Sequence, residues 1–151
     1  MKKSFLLIIS LMFVCSCAGL SYQGKTAAQK PIVLKDGDGV WKNDDLSVNY
    51  HCQRTQNALR ISGSVDLGRG IVNNFSTIEY FRLQIHLLDA QGKISDTRLL
   101  ADSGHLVKIE TWHFKQDIPL PSGAEAMVFS YAGRAVVSGH DQTTWDFQLT
   151  P

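Results

Sequence analysis

Apolar residues recur at every second position through most of the chain after Leu46, a spacing that puts alternate side chains on opposite faces of an extended strand. Leu46, Val48, Tyr50 and Cys52 share one face, with Ser47, Asn49 and His51 on the other. After the polar break Arg54-Thr55-Gln56-Asn57 the alternation resumes with Leu59, Ile61, Gly63, Val65 and Leu67, which predicts an antiparallel hairpin. Ile78 to Leu88 carries Leu83, Ile85 and Leu87 against Arg82, Gln84 and His86. Asp89-Ala90-Gln91-Gly92 suits a type I turn closed by a left-handed glycine, with Lys93 to Leu100 as the return strand.

Between Asp102 and Pro121, Leu106, Ile109, Trp112 and Phe114 fit one bent strand or two short ones, ended by Pro119 and Pro121, which have no N–H to give a ladder. Ala124 to Val137 is alanine-rich, but Val128, Phe129, Tyr131, Val136 and Val137 favour strand and Gly133 weakens a helix. Trp145, Phe147 and Leu149 predict a last strand. About seven short strands separated by turn signals give an all-β fold, an antiparallel β-sandwich, with Trp112 and Trp145 assigned to its core.

The succession Leu59-Arg60-Ile61-Ser62-Gly63-Ser64-Val65, then Leu83 to Gly92, then Leu120-Pro121-Ser122-Gly123 resembles the immunoglobulin-like domains of bacterial envelope proteins, including those named for a Phe-x-Leu-Tyr-Asp motif. The naming motif is absent, as are paired cysteines and the tyrosine-corner pattern, so the resemblance implies an immunoglobulin-like fold and nothing about activity.

The amino terminus has the layout of a secretory leader: Lys2-Lys3, an apolar stretch from Phe5 to Val14 interrupted only by Ser10, then small residues. Ten helical residues span ~15 Å, about half of a bilayer's hydrocarbon core, so the stretch is too short for a permanent spanning helix. Val14-Cys15-Ser16-Cys17 resembles the bacterial lipobox. That resemblance implies cleavage after residue 16 and acylation of Cys17 with chains such as palmitate, which anchor the protein in a lipid bilayer. Cys15 is the competing acceptor, preceded by the bulkier Val14. Ala18, where an aspartate would resemble an inner-membrane retention signal, favours the outer membrane in an organism that has one.

The chain then divides into a signal peptide (1–16), a lipidated flexible tether (17–39) and a sandwich domain (40–151). Weak patterning from Ala18 to Asp36-Gly37-Asp38-Gly39 predicts the tether, although Ile32-Val33-Leu34 could instead begin an early strand. Loss of Lys2 and Lys3 with the leader leaves 13 of the 15 basic side chains against 14 acidic ones, which gives no electrostatic preference for nucleic acid. Cys52 would be the one thiol left, sharing a face with Leu46, Val48 and Tyr50 and expected in the core.

Ser103-Gly104-His105 and Ser138-Gly139-His140-Asp141 contain the residue types of a nucleophilic triad, but neighbours in sequence establish no triad geometry, and both runs read as turns. The weak metal candidates are His105, His113 and His140, which would have to converge from loops; no His-x-His or Cys-x-x-Cys pair occurs. Leu67 to Phe75 is the longest apolar interstrand loop and makes Arg69 and Phe75 the candidate binding residues. These features predict a non-enzymatic binding or assembly module with no cofactor and an envelope protein as partner. The competing class is a metal-binding or hydrolytic protein using the loop histidines.

Overall fold

The computed structural model describes residues 21–137 and 143–151. Among these, ten strands and one short helix follow in the order β1 (Ile32–Val33), β2 (Gly37–Lys42), β3 (Leu46–Arg54), β4 (Ala58–Leu67), α1 (Arg69–Asn74), β5 (Thr77–Leu88), β6 (Ile94–Asp102), β7 (Val107–Lys108), β8 (Trp112–Pro119), β9 (Ala126–Val136) and β10 (Thr144–Leu149). They form two antiparallel sheets packed as a sandwich: a four-stranded sheet in the order β2-β3-β4-β8, and a six-stranded sheet β1-β9-β5-β6 in which β10 also pairs with β9 and β7 with β5. None of the described helices is long and apolar enough to cross a membrane.

Alternation sets the pairing. Leu46, Val48 and Cys52 face Leu67, Val65 and Ile61 across the β3–β4 ladder, and all six are buried between the sheets. From the other sheet come Phe81, Leu83, Ile85 and Leu87 of β5, with Phe129 and Tyr131 of β9. Burial of each such side chain contributes about 1.5–3 kcal/mol. The β5–β6 turn closes as its sequence predicts. Gly92 has φ 74° and its N–H donates to the Asp89 carbonyl at 2.9 Å, while the Asp89 carboxylate accepts from the N–H groups of Gln91 and Lys93.

Ten strands replace the expected seven because the Asp102–Pro121 region splits and two strands form ahead of β3. Val107 pairs with Ile78 in the six-stranded sheet, whereas Trp112 pairs with Val65 in the other, so the chain changes sheets across Ile109–Thr111. Residues 22–39, expected as flexible tether, are built into the sandwich. Ile32 pairs with Met127, Leu34 is 5% exposed, and β2 lies along β3 with Trp41 packed 5.4 Å from the Phe129 ring. Farther upstream, Gly24 and Lys25 exchange backbone hydrogen bonds with Ile94, and Gln29 donates to the carbonyls of Phe129 and Thr150. Apart from β2, whose partner β3 follows it directly, the weak pattern reflects partners that are remote in sequence, 100 and 121 residues away for Gln29. Trp145 also departs from expectation: it is 52% exposed at the end of β10, while Phe147 takes the buried position.

Phe147 pairs with Gly133, and its ring lies over that glycine. A Cβ there would sit 2.3 Å from the Phe147 Cζ. Gly133→Ala is therefore expected to lower stability by about 1–3 kcal/mol through forced displacement of a packed ring, read as a lower urea midpoint. An unchanged midpoint would show that the ring has room to move.

Candidate functional site

The outer surface of the four-stranded sheet carries the polar half of the alternation. Its side chains line up across the strands because the register fixes their neighbours. Asp38 on β2 is opposite His51 on β3, His51 is opposite Ser62 on β4, and Ser62 is opposite Lys115 on β8. One step along, Asn49, Ser64 and His113 make a parallel row. Asp38 Oδ1 lies 2.7 Å from His51 Nδ1. A carboxylate only accepts, so His51 Nδ1 carries the proton that it donates to Asp38. Between the two rows is a shallow depression of 430 Å³ bordered by Asp38, Asn49, His51, Ser62, Ser64 and His113.

Asp38, His51 and Ser62 stand in the carboxylate–imidazole–hydroxyl order of an acyl-transfer triad. The backbone here does not complete that chemistry. N–H groups of β3 and β4 are committed to ladders on both sides and point along the sheet, so they form no oxyanion hole above it. What the face offers is a mixed set of donors and acceptors on rigid strands, framed by the Arg60–Asp117 pair at 2.8 Å and by Thr111 Oγ1 donating to Asp66 at 2.5 Å. That arrangement suits reversible recognition of a polar partner.

The residues singled out from sequence are dispersed. Arg69 is exposed at the start of α1 and borders a separate depression with Lys42, Asp44 and Asp66. Phe75 is half-buried and packed against the core, with its N–H bonded to the Ile71 carbonyl. His105 is exposed in the β6–β7 connection at the edge of the six-stranded sheet; Ser103 beside it donates to the Gly104 carbonyl, an ordinary turn contact. His113 lies on the outer face of the opposite sheet. His140, with Ser138, Gly139 and Asp141, falls outside the described residues, as do Cys15 and Cys17. Among the described residues no group of three or more metal-ligating side chains could hold an ion. His105 follows a strand of the six-stranded sheet, whereas His113 is on a strand of the four-stranded one. Cys52 is 1% exposed, and burial, followed by the charge of Asp36, pushes its thiol up to about 11, far from a reactive thiolate.

Two buried polar clusters escape the sequence pattern. His86, on the outward-facing phase of β5, is fully buried. Its Nδ1 lies 2.8 Å from Thr97 Oγ1 and its Nε2 2.6 Å from Ser130 Oγ, with the Tyr22 ring set edge-on at 5.5 Å. Leu88, in phase with His86, was the available signal that this end of the face is covered; with Ile94 and Val128 it forms a second small core under Tyr22 and Ala27. Tyr131 donates to Asp45 Oδ2 at 2.6 Å and accepts from Asn43 Nδ2 at 2.8 Å, tying β9 to the β2–β3 hairpin. Burial first, and then the Asp45 hydrogen bond, hold its phenol well above the usual range. No family model, curated protein or solved structure matches the chain.

Proposed function

We propose that the chain is a membrane-anchored envelope lipoprotein whose sandwich acts as a non-enzymatic binding or assembly module. The observation that carries this reading is the sequence Val14-Cys15-Ser16-Cys17 behind Lys2-Lys3 and the Phe5–Val14 apolar stretch, with Cys17 as the acylated residue. Ala18 favours the outer membrane in an organism that has one. The polar row through Asp38, His51 and Ser62 supports recognition of an envelope partner in the aqueous space. Strand order supports the immunoglobulin-like resemblance: β3-β4-β8 against β6-β5-β9-β10 is the A-B-E and C′-C-F-G arrangement, with β1, β2 and β7 as additions.

Cys17→Ser is expected to move the protein from the membrane pellet to the soluble fraction, because one uncleaved or unacylated terminus lacks the paired chains that give firm anchoring. Fractionation with membranes as before would overturn the lipoprotein reading. A photo-crosslinker at Ser64 in intact cells is expected to give a discrete protein adduct that His51→Ala weakens. Absence of any adduct would overturn the binding module while leaving the anchor intact.

A further inference from the structure

The amino-terminal segment fixes where an anchored molecule meets its membrane. Tyr22 is already docked on the outer face of the six-stranded sheet, over His86 and beside Leu88, Ile94 and Val128. Lys25 lies over the Tyr22 ring at 5.4 Å, Thr26 bridges to Lys93, and the backbone of residues 24–27 bonds to Ile94 and Gly92. The chain is thus docked from Tyr22 onward, far ahead of Gly39. From Cys17 to Tyr22 is five residue steps, at most ~18 Å fully extended.

We infer, resting on the lipoprotein reading, that this leash seats the sandwich with the Tyr22-bearing face of the six-stranded sheet against the lipid headgroups and holds the Asp38–His51–Ser62 face toward the aqueous side. A domain of this size is ~30 Å or more across, so the leash is shorter than the body it holds. Turning the opposite face to the bilayer would require the chain to pass over β6 and across two sheets spaced about 10 Å apart, with a side-chain layer on each outer face, a path exceeding ~20 Å. Charge agrees with the assignment. Lys25 and Lys93 are exposed beside Tyr22 and make no ion pair among the described residues. On the same strand pair Asp96 is neutralised by Arg98, while the Asp89 carboxylate accepts from the N–H groups of its own turn. Anionic headgroups are what such free lysines attract.

The test uses the full-length acylated protein in vesicles of phosphatidylethanolamine and phosphatidylglycerol carrying headgroup-nitroxide lipids. A fluorophore is attached at Lys93→Cys or, separately, at Lys115→Cys. Cys52 is buried and spared by the thiol reagent. Quenching is expected to be several-fold stronger at position 93 than at position 115. Insertion of about twenty Gly/Ser residues between Ser21 and Tyr22 is expected to abolish that difference while keeping the protein on the vesicles. Equal or reversed quenching in the parent overturns the orientation with the anchor still standing, and a bias that survives the insertion overturns the short leash as its cause. Protein that never sediments with the vesicles overturns the anchor and the orientation together.

Discussion

Lowering the pH from 7 to about 4 is expected to remove about 3 kcal/mol of folding free energy through His86 alone. Burial holds the imidazole down to about 4, against 6.5 for the unfolded chain. Above pH 6.5 both states are neutral and the full stability is present. Between 6.5 and 4 the unfolded chain takes up a proton that the folded chain refuses, so stability falls as pH falls, and it levels off once the folded ring also protonates. The hydroxyls of Thr97 and Ser130 can rotate to accept from a charged ring, so the loss is one of hydration rather than of hydrogen bonds. Arg98 and Asp96 neutralise each other at 2.8 Å nearby, and among the described residues no carboxylate bonds to the ring to offset its charge. Urea midpoints for the parent and His86→Gln at pH 7 and pH 4.5 check this. The variant is less stable at neutral pH but should lose less on acidification, and equal losses would remove His86 as the cause.

Phe81→Ala carries the largest cost expected from a single core truncation, about 3–5 kcal/mol. The ring is 1% exposed and stacks between Trp112 at 4.8 Å, on the facing sheet, and Phe147 at 6.2 Å on β10. Its removal leaves a cavity bounded by two large aromatic side chains that cannot both close on it. Tyr80 next to it is 42% exposed and touches Arg134 from outside, so Tyr80→Ala should change stability far less. The contrast depends on a register shift between Ile78 and Tyr80, which lets both Ile78 and Phe81 face inward. Comparable urea midpoints for the two variants would mean that the inward phase is wrong.

Local alternation made β3, β4 and the β5–β6 hairpin readable, since each pairs with a neighbour in sequence through a short turn. It failed where partners are remote or where turn composition masks a strand. Ile32 becomes a strand only because Met127 is beside it, and Asp36-Gly37-Asp38-Gly39 has turn composition that pairing with β3 overrides. The Leu67–Phe75 segment contains α1 because Ile71 plugs the end of the core at 3% exposure. The candidate site was invisible for the same reason. Asp38, His51 and Ser62 have no motif spacing and become neighbours only through the register of three strands. Cys52 was legible in full, since its phase with Leu46 and Val48 already placed it inside.

The four-stranded sheet ends in β2 and β8, each with one ladder side unpaired within that sheet. Molecules sharing a two-dimensional surface collide far more often than the same molecules in solution, and bare strand edges would then template one another. Here β8 sets His113, Lys115 and Asp117 outward and ends on Pro119, which has no N–H to donate, while β2 is short and carries Asp38 and Lys42. Such edges resist strand-to-strand joining, so under the proposed lipid anchor crowding on a bilayer should concentrate the protein without driving it into fibrils.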